Sequence, residues 1–151
     1  MVQEHIERLN RHLAEGTLIR KAWTGRDAAG RETACLLAAM VPECGENKTA
    51  QSCPAEVMPP WLAFLTPDLD DNGSILAWPG MVKRFAELAA RWHAIDAAGW
   101  QRVRFGWLAA VVRYAASHTT AHAATAICER VASLCDGVVA NGAIDRGAFD
   151  D

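Results

Sequence analysis

The chain has 151 residues, of which 51% are hydrophobic and 22% charged, and its net charge is −3 at pH 7. This length suits one domain with its own core, so we expect a single helical domain over residues 1–151. The apolar runs are shorter than the roughly 18 residues of a membrane span, and a slightly acidic chain has no general attraction for nucleic acid. The charged, periodic N-terminus is unlike a secretory signal, and the expected location is the cytoplasm.

Hydrophobic periodicity predicts an all-α fold, a single compact bundle of about five or six helices with an irregular segment rich in Pro and Trp. The first helix has an apolar stripe through Ile6 and Leu9 and ends at Gly16. A possible short hairpin near residues 18–34 follows. The remaining predicted helices cover residues 32–41, 59–65, 80–97, 100–116 and 119–140.

Two of these helices carry further expectations. Residues 100–116 are apolar nearly all round, so this helix should be central or covered by a partner, and a homodimer could bury it. Trp107 is expected in the core. The last helix should bury Ile127 and Val131 on one stripe, and Asn141-Gly142 should end it.

The irregular segment contains an acidic stretch that resembles a calcium loop. All six prolines lie between residues 42 and 79, and within that range Asp68, Asp70, Asn72 and Gly73 match the opening D-x-[DN]-x-[DN]-G. The twelfth position, which needs a bidentate carboxylate, is Pro79. We therefore favour a turn leading into the next helix over a calcium site.

A second metal hypothesis rests on two histidines. His118 and His122 have the i,i+4 spacing that places two imidazoles on one helix face, as a zinc site requires. Neither the glutamate of a metalloprotease motif nor a third ligand on the same helix accompanies them. A solvated helix face is the favoured interpretation, and no cofactor is expected.

The cysteines and the absence of catalytic signatures argue against an enzyme. Five cysteines without C-x-x-C spacing indicate reduced thiols rather than disulfides or a zinc knuckle. Cys44 and Cys53 could pair with a histidine for covalent catalysis, but no local signature joins them. The alternative is a metal-binding module or a metal-dependent hydrolase.

Charge is distributed unevenly along the chain. Residues 49–82 contain four acids and no Lys or Arg, whereas residues 83–130 carry an excess of four bases. That basic segment permits a helical nucleic-acid-binding protein as a further alternative. Its candidate contacts are Lys83, Arg84, Arg91, Arg102 and Arg104.

The block from Cys53-Pro54-Ala55-Glu56 through Asp70-Asp71-Asn72-Gly73 to Trp78-Pro79-Gly80 resembles uncharacterised small proteins associated with bacterial prophages, most closely over residues 34–93. The resemblance implies a phage-encoded accessory protein and assigns no activity. Our leading hypothesis is a non-catalytic helical protein that binds a protein partner and acts as a phage-derived modulator or inhibitor of a host bacterial system. The candidate contact residues are Asp68, Asp70, Asp71, Trp78 and Trp61.

Overall fold

The first helix follows directly from its amphipathic stripe. In the structure, a computed structural model that describes residues 2–142, α1 (Val2–Glu15) buries Ile6 and Leu9. Gly16 ends it with a positive φ of 65°, a conformation that glycine adopts without a steric penalty. The predicted helix and its end are confirmed.

A short antiparallel hairpin follows, as predicted. Strand β1 (Thr24–Arg26) pairs with β2 (Glu32–Ala34), with Thr24 opposite Ala34. The carboxylate of Asp27 accepts hydrogen bonds from the amides of Ala29 and Arg31, both at 2.9 Å, and this Asx turn sets the connection between the strands.

The helix predicted over residues 32–41 is shorter than expected, because its first residues belong to β2. Helix α2 (Leu36–Met40) begins after Cys35, whose sulfur accepts a hydrogen bond from the amide of Ala38 at 3.4 Å. All five residues of α2 are buried. Helix α3 (Pro42–Asn47) and a single 3-10 turn (Ala50–Ser52) complete this region.

The short helix predicted over residues 59–65 is longer in the structure. Helix α4 (Pro60–Asn72) continues through Pro67, which cannot donate a backbone hydrogen bond inside a helix. The Thr66 hydroxyl donates to the carbonyl of Leu62 at 2.7 Å in the turn before this proline. Residues 66–72, predicted as the start of a loop, are therefore helical.

The chain then forms α5 (Trp78–Ala89) and a 3-10 turn (Trp92–Ala94), which together replace the single helix predicted over 80–97. Helices α6 (Ala97–Ser117) and α7 (His122–Asn141) match the last two predictions, and Gly142 ends α7 with a φ of 73°. The all-α class with one short hairpin is confirmed for residues 2–142.

The chain divides into two compact units, with the boundary between Ala94 and Ile95. The first unit has a core of large apolar side chains contributed by α1, α2, the segment before α4, and α5. Its fully buried members include Leu9, Leu36, Leu37, Met40, Met58 and Val82. The prediction of a single domain is not tested by this division and stays a prediction.

The second unit is a pair of helices, α6 and α7, around the buried side chains of Ala109, Ala132 and Cys135. Trp107 is 37% exposed, and Ile127 and Val131 are also exposed, so the expectation that these three lie in the core is wrong. The physical reason is that other positions of the two helices face inward, which leaves these three side chains outside. The buried cluster has three larger side chains packed against it: Phe105, Leu108 and Val112.

Candidate functional site

The acidic stretch singled out in the sequence is organised around one buried carboxylate. Asp70, only 1% exposed, accepts a hydrogen bond from the Leu36 amide at 2.9 Å and another from the Trp78 indole Nε1 at 2.6 Å. Asp70 therefore joins the start of α2, the last turns of α4 and the start of α5. A carboxylate beside the first amides of a helix is also favourably placed in the helix dipole.

A cation from a distant segment satisfies the end of α4. The Arg20 guanidinium donates to the carbonyls of Asp70, Asp71 and Gly73 at 2.7, 2.8 and 2.6 Å. Its carbon Cζ lies 6.0 Å from the centre of the Trp78 ring, within the range of a cation–π contact. Arg20 thus pairs the last carbonyls of α4, which no helical amide can reach, and opposes the negative end of the helix dipole.

A second contact holds the same helix end. The backbone amide of Lys21 donates to the side chain of Asp71, and Lys21 itself has a positive φ of 62°. A lysine in this left-handed region is uncommon, since only glycine and the short polar residues visit it readily. Arg20 and Lys21, which precede the hairpin, therefore both donate hydrogen bonds to the end of α4.

This arrangement corrects the role of the acidic stretch. Asp68, Asp70 and Asn72 lie in α4 and not in a loop, and Asp70 is engaged by protein donors. A calcium loop needs these oxygens to converge from an irregular backbone, which a helix does not allow. Within residues 2–142, no group of three or more His, Cys, Asp or Glu side chains is placed to hold a metal ion.

A small cavity lies beside Asp70. It measures about 120 Å³ and is lined by Lys21, Ala22, Trp23, Cys35, Pro67, Asp70 and Asp71. Its volume is well below the roughly 300–1,000 Å³ of sites for small molecules. Burial raises the pKa of the Cys35 thiol and of the Asp70 carboxyl. A thiol with a raised pKa is a poor nucleophile, so the cavity does not support covalent catalysis by Cys35.

Several large apolar side chains of the same region are exposed. Phe64 and Leu69 on α4 are 52% and 37% exposed, and in the turn that follows, Ile75 and Leu76 are 74% and 91% exposed. The carboxylate of Asp68 lies between the two α4 residues in sequence and is also exposed. We call these five residues the α4–α5 surface. It presents large apolar groups with a negative charge.

The other predicted contact residues have more internal positions. Trp78 is half-buried, because its indole binds Asp70 and its ring lies beside Arg20. Trp61 is half-buried in the first turn of α4. Asp71 is half-buried and bonded to Lys21. Of the five residues predicted to contact a partner, Asp68 alone is exposed.

The two histidines do not share a helix. His118 is the C-cap of α6, and His122 is the first residue of α7, with Ala121 in an extended conformation between the helices. The His118 Nδ1 lies 2.9 Å from the Tyr114 carbonyl oxygen and 3.0 Å from the Ser117 hydroxyl. The expectation of two imidazoles on one helix face is therefore wrong.

The candidate nucleic-acid contacts are divided between the two compact units of the chain. Lys83, Arg84 and Arg91 lie on or just after α5 in the first unit, whereas Arg102 and Arg104 lie on α6 in the second. All five are exposed, and Arg84 pairs with Glu87 at 3.2 Å. These positions agree with solvated helix faces and do not by themselves define a groove.

Sequence reasoning missed two features of the first unit. Arg20 had no local signal, because its partners lie about fifty residues later in the chain. A cavity of about 530 Å³, within the size range of sites for small molecules, lies between α1, the hairpin and α3. Its charged lining residues come from three elements and carry both signs: Arg8, Arg11, Glu32 and Glu46.

Two findings concern membrane crossing and similarity to known proteins. No helix within residues 2–142 combines the length and the apolar character needed to cross a membrane. A search against protein-family models, curated proteins and solved structures found no match to this chain.

Proposed function

We propose that this protein is a non-catalytic binding protein that recognises another protein through the α4–α5 surface. The observation that carries the proposal is the exposure of Ile75 and Leu76, at 74% and 91%, in a turn whose two ends are held in place. Large apolar side chains that are exposed to water lower the solubility of a protein. Where they are grouped, they commonly mark a site of interaction with a partner.

The internal network supports this proposal because it orders the turn before binding. Arg20 holds the Gly73 carbonyl at one end of the turn, and the Asp70 carboxylate holds Trp78 at the other. A turn fixed in advance loses less conformational entropy when a partner binds, so more of the contact energy appears as affinity. Asp70 and Trp78 act here as positioning residues rather than as contacts.

The chemistry of the surface also describes its partner. The adjacent apolar side chains of Ile75 and Leu76 suit a hydrophobic groove on the partner. The exposed Asp68 carboxylate favours a groove with a basic rim, because opposite charges attract across an interface. The resemblance of residues 34–93 to prophage-associated proteins supports a biological role as a phage-derived modulator or inhibitor of a host bacterial system, acting in the cytoplasm.

The proposal is tested by affinity capture from a bacterial lysate with the full chain as bait. The double variant Ile75→Ser/Leu76→Ser removes the two most exposed large apolar side chains among residues 2–142 without touching a buried group. Leu88→Ser is a matched control, because Leu88 is also exposed, at 42%, but lies on α5 outside the surface. Proteins recovered by wild type and by the control should be lost with the double variant. Equal recovery by all three baits would refute the proposal.

A further inference from the structure

The larger cavity of the first unit brings side chains of both charges together. It measures about 530 Å³, which is within the size range of sites for small molecules. Arg8 and Arg11 line it from α1, where a spacing of three residues places them side by side on the helix surface. Glu32 of β2 and Glu46 of α3 also line it. One helix therefore supplies two cations, and two other elements supply two carboxylates.

These four charged groups are not neutralised by one another. Among residues 2–142, the side chains of Arg11 and Glu46 make no ion pair or hydrogen bond. Arg8 and Glu32 each pair with a residue that does not line the cavity, at 3.4 and 3.5 Å. Exposed ion pairs of this length contribute little free energy and exchange readily for other partners. Charges of both signs are therefore free to bind a ligand in the cavity.

Close packing holds the three elements around the cavity in place. Helix α3 meets the hairpin and α2 at Gly45, where an added Cβ would lie 2.7 Å from Thr24 Cγ2 and 3.0 Å from Ala38 Cβ. Thr24 and Ala38 both line the cavity. The Ala34 amide donates to the Thr17 carbonyl at 3.2 Å, which joins the hairpin to the segment after α1. A cavity formed in this way loses little conformational entropy when a ligand binds.

The balance of charge restricts the class of ligand. Two arginines and two glutamates leave the lining without net charge. Burial lowers the pKa of the His12 imidazole, which also lines the cavity, so His12 is neutral at pH 7. A polyanion such as a nucleotide would be repelled by the two carboxylates, and a polyamine would be repelled by the two guanidinium groups. A molecule with one negative and one positive group satisfies both sets.

We propose that this cavity binds a small zwitterion, a free amino acid or a short peptide, through its carboxylate and its ammonium group. The carboxylate binds Arg8 and Arg11, because the planar guanidinium matches a carboxylate with two parallel hydrogen bonds. The ammonium group donates to the carboxylates of Glu32 and Glu46. The site shares no residue with the α4–α5 surface, so either proposal can fail without the other.

The first experiment is a thermal melt of the full chain at pH 7 with the free L-amino acids and a set of dipeptides as probes. A ligand that binds only the folded state raises the Tm, so at least one probe should do so. A response to dipeptides alone would identify the short peptide as the ligand. The same probe should have no effect once its amino group is acetylated or its carboxylate is amidated. No stabilising probe, or equal stabilisation by the modified forms, would overturn the proposal.

The second experiment locates the site by calorimetric titration of variants with the stabilising probe. Arg11→Gln and Glu46→Gln change exposed side chains, and each should weaken the Kd about tenfold or more, because each removes a charged hydrogen-bonding partner. Arg91→Gln and Glu43→Gln are matched controls, since both residues are exposed in the first unit and do not line the cavity. The controls should bind as wild type does. An unchanged Kd for Arg11→Gln and Glu46→Gln would overturn the assignment.

Discussion

Replacing Asp70 tests whether one buried carboxylate organises the first unit. Asp70→Ala removes the acceptor for the Leu36 amide and for the Trp78 indole, at 2.9 and 2.6 Å. A hydrogen bond to a charged acceptor contributes about 1.5–3 kcal/mol, and a buried donor without a partner costs about 1–3 kcal/mol. Part of this loss is offset, because the mutation also removes the cost of burying a charge. We expect a net loss of about 3 kcal/mol in the free energy of unfolding.

The assay is urea unfolding followed by far-ultraviolet circular dichroism and by tryptophan fluorescence. Asp68→Ala is the matched control, because Asp68 lies on the same helix but is exposed, and its hydrogen bond from Asn72 is long at 3.5 Å. The control should change stability by less than about 0.5 kcal/mol. Asp70→Asn, which keeps one acceptor oxygen, should fall between the two. If Asp70→Ala and the control have the same stability, the reasoning is refuted.

The remaining predictions concern pH, packing and association. Burial raises the pKa of Asp70, so the stability gained from this pKa shift is full below the unfolded value of about 4 and is lost as pH rises through the folded pKa. The unfolding free energy of wild type should therefore fall relative to Asp70→Asn over that range, and a constant difference would contradict this. The hydrogen bonds to the ionised carboxylate remain above the folded pKa. Gly45→Ala should cost about 1–3 kcal/mol in urea unfolding, because the new Cβ would lie 2.7 Å from Thr24 Cγ2. Gly80→Ala, which meets no atom within 4 Å in α5, should instead gain up to about 1 kcal/mol. If the exposed Trp107 face of α6 forms a homodimer, light scattering should give twice the chain mass for wild type and the chain mass for Trp107→Ser; a wild-type monomer would rule the dimer out.

Local patterns in the sequence were sufficient for much of the fold. The stripe of Ile6 and Leu9 predicts α1, and Gly16 marks its end, because both signals act within a few residues. The hairpin likewise depends on nearby turn residues such as Asp27. The last two helices were also predicted from periodicity alone, to within a few residues at each end.

The organisation of the candidate site could not be predicted in this way. Helix α4 continues past Pro67 and its terminal carbonyls are paired by Arg20, whose partners lie about fifty residues away in sequence. The Leu36 amide that binds Asp70 is 34 positions distant. Periodicity carries no information on such contacts, so the sequence alone predicts a loop for the acidic stretch.

The exposed position of Trp107 has a related explanation. A helix that is apolar all round does not reveal which side packs against its neighbour, and here Ala109 and Ala132 form that contact. The side of α6 that carries Ala109 therefore faces α7, whereas Trp107 lies on another side and is exposed. Composition predicted an unusual helix but not the direction of its packing.

The most direct test of the central claim is a titration with the partner purified after capture. Isothermal calorimetry would compare wild type, Ile75→Ser/Leu76→Ser and the exposed control Leu88→Ser. Truncating a central contact typically costs more than about 1.4 kcal/mol, a factor of ten in Kd. The account predicts at least a tenfold weaker Kd for the double variant and an unchanged Kd for the control. An unchanged Kd for the double variant would contradict it.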